Sequence, residues 1–321
     1  MAEKTTKVKE WKQTLRDGIK LQMYQWTPKN LKNVKGVVQL VHGSAEHAKR
    51  YQEFANYLTE NNYIVVAEDH RGHGKTAKNE EDLGFFAEED GWEKIIDDLY
   101  EVTIYIKKTY ANLPIVIFGH SMGSFMVRHY IIKYGENIKA AVICGTAFHK
   151  KSLLKFSIKV AKHNQKKLGA KAKDQMIYNL SYAKFGNRFK DEGKTGTEWL
   201  STDKKIQKQF QDDPLTGQVF STSAFKDMFT GLLFINNKKN IKKAPQNLPI
   251  LFISGQDDPV GNFGKGVKKV YKLFKKHHTN INIKLYPNSR HEILNEPIKM
   301  EVYQDILTFY NQALTQGTQG K

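Results

Sequence analysis

A serine stands between two glycines in the stretch GHSMG at residues 119–123, directly after the apolar run PIVIF and before a helical pattern. This order is typical of a nucleophile elbow, a tight strand-to-helix turn that presents a serine hydroxyl at the edge of a sheet. A side chain at Gly119 or Gly123 would collide with neighbouring backbone, so the turn needs both glycines. The pattern predicts that Ser121 is a nucleophile at a helix N-terminus, whose dipole favours developing negative charge.

A serine hydroxyl is a weak nucleophile, so it needs a histidine base that a carboxylate orients. After an elbow serine these partners follow in the order acid, then histidine, on loops that come after later strands. The strand PILFIS runs into Asp257 and Asp258, and the strand INIKLY runs into the loop that carries His291. Spacing alone does not separate the two aspartates. Because Pro259 holds the residue before it extended, Asp258 is the predicted acid and Asp257 a cap or surface carboxylate.

The negative oxygen that forms on attack needs positioned N–H donors. One predicted donor is the backbone N–H of Met122, the residue after the nucleophile. The second is expected from the loop HGSAEH at residues 42–47, which follows the strand GVVQLV, and the backbone N–H of Ser44 is the candidate. His42 and Gly43 are explained equally well as plain turn residues, so no side-chain role is assigned to them.

The loop DHRGHG at residues 69–74 places His70 and His73 three residues apart, a spacing that suggests a metal site. A zinc site needs three or four ligands, and no others follow at suitable spacing. The loop is therefore predicted to be structural, with Arg71 paired to a carboxylate. No GxxxxGK[ST] phosphate loop occurs either, so neither a metal nor a cofactor is predicted.

The elements that would position these residues are short apolar runs that alternate with helical patterns, first up to residue 146 and again from residue 247. Strands buried on both faces and separated by helices predict an α/β fold with a mostly parallel central sheet and right-handed crossovers. An Asp17-Gly18 hairpin signal between residues 12–15 and 19–26 adds antiparallel strands at one edge.

Residues 147–246 break this alternation because they contain no comparable strand run. They are predicted to form a helical cap inserted into a core of residues 1–146 and 247–321, with residues 315–321 as a flexible tail. Apolar residues of the cap are expected to line an acyl pocket. The substrate-binding candidates are Leu153, Phe156, Phe225 and Phe234.

The chain of 321 residues carries 51 Lys and Arg against 33 Asp and Glu, a net charge of +18. Residues 150–243 alone hold 21 basic and 8 acidic residues. Nucleic acid is not predicted as a partner, because no recognised motif and no stacking pattern of aromatics accompanies the charge. One hypothesis is that the basic cap contacts an anionic membrane peripherally. The alternative is that the positive charge of the cap only reflects a lysine-rich composition throughout the chain.

The single cysteine, Cys144, excludes an internal disulfide and lies in an apolar run. Residues 1–14 show no signal-peptide pattern, and no run of 18 apolar residues occurs. A cytoplasmic protein, peripheral at the membrane if the cap docks there, is therefore predicted. The sequence does not specify the oligomeric state.

Five motifs occur in this order along the chain: HGSAEH, DHRGHGKT, GHSMG, GQDDPVG and YPNSRHEILNE. With these motifs, and over about residues 12–312, the chain resembles the monoacylglycerol lipase and lysophospholipase branch of the α/β-hydrolases in its bacterial form. EWLS at 198–201 and DPLTG at 213–217 are similar to segments of bacterial members, whereas Ala45 departs from a frequent glycine. The resemblance implies the α/β-hydrolase fold. It also implies a triad that maps to Ser121, Asp258 and His291, in agreement with the assignment from the residues.

The resemblance further implies a serine hydrolase that cleaves carboxylic esters of a monoacylglycerol or a lysophospholipid through an acyl-enzyme, without a cofactor. Two alternatives stay open. Acyl chemistry does not fix the leaving group, so a small-molecule esterase or a peptidase can use the same fold. A non-catalytic binder of anionic membrane is the second alternative, and the complete Ser–Asp–His set argues against it.

Overall fold

The apolar strands pair into one mixed sheet, as their alternation with helical patterns predicts. The computed structural model describes residues 6–316. Across that range the sheet has eight strands in the order β1-β2-β4-β3-β5-β6-β7-β8. The strands are β1 (Thr6–Thr14), β2 (Lys20–Pro28), β3 (Gly36–Val41), β4 (Tyr63–Glu68), β5 (Ile115–His120), β6 (Ala140–Cys144), β7 (Ile250–Gly255) and β8 (Ile281–Tyr286).

Strands β3 to β7 are buried along their whole length, which is why they read as continuous apolar runs. All neighbours from β4 to β8 pair in parallel, while β1 and β2 add antiparallel strands at one edge. The predicted fold class is therefore confirmed. The edge hairpin is longer than predicted, since β1 already begins at Thr6. The sequence did not indicate this length because β1 is mostly exposed and its polar residues do not form an apolar run.

Helices cover both faces of the sheet and extend over the end where β5 and β6 terminate. The α-helices of the described chain are α1 (Gln52–Glu60), α2 (Gly91–Thr109), α3 (Met122–Tyr134), α4 (Lys151–Leu168), α5 (Gln175–Ser181), α6 (Lys204–Asp212), α7 (Thr222–Ile235), α8 (Lys238–Ile241), α9 (Lys265–Lys275) and α10 (Lys299–Gln316).

Helices α4 to α8 all lie between β6 and β7, inside the segment 147–246 that the sequence predicts as a cap. Helix α7 packs against α4 and also against α2 and α3, and α3 packs on the sheet, so α7 connects the cap helices to the core. The bounds of the cap remain a prediction. Helix α10 includes the first two residues of the predicted tail, and residues 317–321 lie outside the described chain. None of the described helices is long and apolar enough to cross a bilayer.

Candidate active site

Ser121 occupies the sharp turn between β5 and α3, with φ 53° and ψ −120°. This left-handed backbone conformation is strained for a residue that carries a Cβ. The flanking glycines are required by close contacts: a Cβ on Gly119 would lie 2.5 Å from the carbonyl oxygen of Gly123, and one on Gly123 would lie 2.2 Å from that of Val41. The Ser121 backbone N–H donates to the Cys144 carbonyl at 3.0 Å, so the turn is also tied to β6.

Asp258 and His291 meet at the same edge of the sheet, on the loops that follow β7 and β8. Asp258 Oδ2 lies 3.0 Å from His291 Nδ1 and accepts a hydrogen bond from Ser254 Oγ at 3.2 Å. The other carboxylate oxygen accepts from the Val260 N–H at 2.8 Å, which fixes the rotation of the group. Asp258 is fully buried, whereas Asp257 is half-buried. The contact that can orient the imidazole therefore comes from Asp258.

The loop that carries Ser44 approaches the nucleophile closely. A Cβ on Gly43 would lie 3.1 Å from the Cβ of Ser121. Ser44 and Ser121 line one cavity, while Met122 is the first residue of α3, where a backbone N–H has no partner within its own helix. Ser44 and Met122, whose N–H groups are the predicted oxyanion donors, therefore lie on two different segments beside the serine.

Glu46 forms a buried polar cluster beneath this loop. It accepts hydrogen bonds from the Gly43 N–H and from the Tyr51 hydroxyl, each at 2.6 Å. His120 Nδ1 lies 2.8 Å from the same hydroxyl, and its Nε2 lies 3.1 Å from the His291 carbonyl oxygen. Burial lowers the pKa of His120, but the Glu46 carboxylate outweighs burial and raises it. The two ring nitrogens of His120 contact the Tyr51 hydroxyl on one side and the His291 backbone on the other, which connects the Ser44 loop to the His291 loop.

Arg50 joins the two loops a second time. Its guanidinium donates to Glu46 Oε2 at 2.6 Å and to both carboxylate oxygens of Glu292 at 2.8 Å. Burial opposes ionisation of Glu46, yet His120 and Arg50 hold its pKa well below the ordinary value. The motifs HGSAEH and RHEILNE contain Glu46 and Glu292, but the sequence indicated no role for either residue. No spacing in the sequence indicated Arg50 as their shared partner.

A cavity of about 400 Å³ opens above Ser121 and His291. Its apolar wall comes mainly from aromatic side chains of α5, α6, α7 and the loops between β6 and β7. Its polar wall comes from threonines of these loops and from glutamines of α6 and the loop that follows it. The lining residues are Ser44, Ala45, Glu46, His120, Ser121, Tyr178, Tyr182, Thr195, Gly196, Thr197, Trp199, Leu200, Phe210, Gln211, Thr216, Gly217, Gln218, Phe220, Phe225, His291 and Glu292.

Of the four predicted pocket residues, only Phe225 lines this cavity. Leu153 and Phe156 are 52% and 66% exposed on α4, because the face of that helix that packs on α7 carries other residues. Phe234 is partly buried and stacks on the His129 ring at 4.0 Å. The expectation that these three residues line the pocket is therefore corrected.

The structure supplies aromatic lining residues that the sequence-based pocket candidates omit, among them Tyr178, Tyr182, Trp199 and Phe210. No periodic pattern marks the two tyrosines as facing the serine. The only signal for Trp199 was the similarity of EWLS to bacterial relatives.

The loop at 69–74 is held by structural contacts, as predicted for Arg71. The Arg71 guanidinium donates two hydrogen bonds to Asp98, each at 2.6 Å. The His42 and His70 rings stack with their centroids 3.7 Å apart, and burial holds the pKa of His42 well below its ordinary value. Within residues 6–316, no group of three or more His, Cys, Asp or Glu side chains is arranged to hold a metal ion.

Comparison with known proteins finds relatives along most of the chain. The model of the family described as serine aminopeptidase, S33, matches residues 32–298. The monoacylglycerol lipase of Mycolicibacterium smegmatis is 25% identical over 296 residues, which cover 91% of this chain and 93% of that protein. Human monoglyceride lipase is 24% identical over 307 residues, covering 94% of this chain and 90% of the human protein. The resemblance inferred from the motifs is confirmed.

Solved structures share the whole architecture. A thermostable carboxyl esterase from Bacillus coagulans, in complex with glycerol, matches with a TM-score of 0.88 and 27% identity, covering 96% of this chain and 99% of that one. A soluble variant of the monoglyceride lipase of Saccharomyces cerevisiae, in complex with a substrate analog, matches with a TM-score of 0.75 and 20% identity, covering 97% of each chain. The second likeness is one of fold.

Proposed function

The chain belongs to the serine aminopeptidase S33 family and has the α/β-hydrolase fold. We propose that it hydrolyses carboxylic esters of lipids with Ser121 as nucleophile. The observation that carries the proposal is the 3.0 Å contact between His291 Nδ1 and Asp258 Oδ2 beside a cavity that Ser121 also lines. A lipid ester is favoured because the cavity has an aromatic wall and because relatives along most of the chain are named as monoacylglycerol lipases.

In the proposed reaction, His291 Nε2 accepts the Ser121 proton as Oγ attacks the ester carbonyl. The Nδ1–H of the same ring donates to Asp258, which orients the imidazole and stabilises its charged form. The N–H groups of Ser44 and Met122 hold the oxyanion. His291 then protonates the leaving alcohol, and a water that it activates cleaves the acyl-enzyme and releases the fatty acid.

The charges around the cavity favour a neutral alcohol over a phosphate-bearing head group. No lysine or arginine of the described chain lines the cavity, and its two carboxylates, Glu46 and Glu292, are already bound by Arg50. A phosphate there would lose its hydration without gaining the charge of a lysine or arginine. The wall of Thr197 and Gln211, which hydrogen-bond each other at 2.8 Å, offers groups suited to the hydroxyls of glycerol.

We expect kcat/KM for a monoacylglycerol to exceed that for a lysophospholipid of the same acyl chain by about tenfold or more, a difference of at least about 1.4 kcal/mol in transition-state binding. The measurement is fatty-acid release from 1-monoacylglycerol, lysophosphatidylcholine and lysophosphatidylglycerol, each below its critical micelle concentration. Equal values for the three lipids would contradict the preference for a neutral head and leave ester hydrolysis standing.

The name of the matched family makes an aminopeptidase the second candidate. Such an enzyme must bind an α-ammonium group, which calls for a carboxylate without another partner. Glu46 and Glu292 are the carboxylates of the cavity, and Arg50 binds both. Cleavage of a p-nitrophenyl ester without cleavage of aminoacyl p-nitroanilides would favour the esterase, and the reverse pattern would favour the peptidase.

The exposed face of α4 carries the second part of the proposal, peripheral docking on an anionic bilayer. Leu153 and Phe156 stand out to solvent, and Lys155, Lys159 and Lys162 are exposed around them. A helix with apolar side chains between lysines binds at the interface of anionic lipid, with each lysine near the surface contributing about 1 kcal/mol. A lipid substrate resides in that interface, so docking would bring the cavity close to it.

Reversal of Lys155, Lys159 and Lys162 to glutamate is expected to abolish co-sedimentation with vesicles that contain 30 mol% phosphatidylglycerol, about a tenfold or greater loss of binding. The matched control reverses Lys107, Lys108 and Lys139, which precede the amino ends of β5 and β6 on the opposite side from Ser121. It makes the same change in net charge and should keep most of the binding. Binding to neutral vesicles that resists high salt would contradict the docking proposal.

A further inference from the structure

A short segment of the cap lies directly against the loop that carries His291. The Glu292 N–H donates to the Leu200 carbonyl at 2.7 Å, and the His291 N–H donates to the Trp199 carbonyl at 3.4 Å. The Trp199 ring is 5.1 Å from the His291 imidazole, centroid to centroid, and it lines the cavity. We call residues 198–202 the cap clasp. The backbone donor of the catalytic histidine thus finds its partner in the cap clasp.

Glu296 fastens the cap clasp to the histidine loop. Its carboxylate accepts the Arg290 N–H at 2.8 Å from the loop side. From the cap side it accepts the Ser201 hydroxyl at 3.1 Å, the Thr202 N–H at 3.0 Å and the Thr202 hydroxyl. The Glu296 side chain is 1% exposed. A buried carboxylate that accepts from two segments holds both in one arrangement, because charge-assisted bonds strengthen where water is excluded.

Arg290 makes a second connection between the same two segments. Its guanidinium donates to the Glu198 carbonyl at 2.7 Å and pairs with the Glu192 carboxylate at 2.5 Å. The same group stacks over the Phe189 ring at 4.0 Å. All three partners belong to the predicted cap, so the side chain next to His291 in sequence is committed to the cap.

We propose that Glu296 is a positioning residue for His291 and that it acts through the cap clasp. The His291 ring is fixed by Asp258 at Nδ1, and its backbone is fixed by His120 at the carbonyl and by Trp199 at the N–H. The last contact exists only while the cap clasp stays on the loop. The inference rests on the proposed function, because it needs His291 to be the base. A displacement of about 1 Å at such a base lowers the rate by about 100-fold.

Glu296→Gln tests the inference with little change in shape, because the amide keeps one acceptor and turns an NH₂ group toward donors of the cap clasp. We expect kcat for a soluble p-nitrophenyl ester to fall by about 10- to 100-fold with KM within about twofold. Asp227→Asn is the matched control. Asp227 is another buried carboxylate that accepts a backbone N–H, from Gly91 at 2.6 Å, but it does not line the cavity. Its kcat should be unchanged.

Thr202→Val is the gentler second variant, because Thr202 is exposed and loses only its hydroxyl donor to Glu296. We expect it to fold normally and to lose kcat by about threefold to tenfold. If Glu296→Gln does not fold, the kcat of Thr202→Val tests the positioning role instead. An unchanged kcat in a folded variant, an equal loss in Asp227→Asn, or a rise in KM alone would each overturn the positioning role. Activity that survives Ser121→Ala or His291→Ala would instead overturn the proposed function.

Discussion

Replacing Ser121 with alanine is expected to lower kcat by about 10⁶-fold and to leave the fold intact. Alanine keeps the Cβ, so the packing of the turn against Gly43 is unchanged, but no atom remains that can form the acyl-enzyme. Oxyanion donors and binding alone retain about 10³- to 10⁴-fold over the uncatalysed reaction. The measurement is release of p-nitrophenol under single-turnover and steady-state conditions, together with the far-UV spectrum of the variant.

Ser121→Gly provides a control that separates chemistry from backbone strain. Glycine also lacks the nucleophile, but it adopts φ 53° and ψ −120° without a Cβ penalty. It should be as inactive as the alanine variant and more resistant to urea, by about 1 kcal/mol of unfolding free energy. A fluorophosphonate should label the wild type once and neither variant. Labelling of another serine, or retained activity in both variants, would show that Ser121 is not the nucleophile.

Much of the fold follows from the sequence because parallel strands are buried on both faces. The runs GVVQLV and PIVIF have no polar alternation to confuse them with helices, and each is bounded by turn residues. Helix α2 is equally clear, since its buried residues recur at helical spacing. Strand β1 is the exception. It pairs along nine residues with β2, but its polar side chains face water, so local hydrophobicity understates its length.

The sequence predicts that Ser121, Asp258 and His291 lie at one edge of the sheet for a related reason. Each follows a strand of the parallel sheet, and the carboxyl ends of parallel strands meet at one edge. The contacts that join the Ser44 loop to the His291 loop could not be predicted from the sequence. Arg50 and Glu292 are 242 positions apart in the chain, and their bidentate pair leaves no periodic signal in either segment.

The pocket is the part that sequence reasoning places least well. Helix α4 carries apolar residues on more than one face, and amphipathy alone does not say which face meets α7. Leu154 and Ala161 pack inward, so Leu153 and Phe156 are left in solvent. The wall near Ser121 is built instead from α5, α6, α7 and the loops between them. The loop at residues 201 and 202 is held by hydrogen bonds to Glu296, which no local pattern predicts.

Asp258→Asn is expected to lower kcat by about 10³- to 10⁴-fold, whereas Asp257→Asn should change it less than about threefold. The Val260 N–H donates to Asp258 Oδ1 at 2.8 Å, so the amide oxygen of an asparagine would take that place. The NH₂ group would then face His291 Nδ1, which becomes an acceptor. The proton would move to Nε2, and a ring protonated there cannot accept the Ser121 hydroxyl proton.

The two asparagine variants change neighbouring positions and each removes one negative charge, so they form a matched pair. Both should bind the ester, because neither aspartate lines the cavity, and KM should stay close to the wild-type value. The rate of phosphonylation of Ser121 by a fluorophosphonate should fall with kcat in Asp258→Asn, since both reactions need the same base. Equal losses in the two variants would show that the buried contact at 3.0 Å does not orient the catalytic histidine.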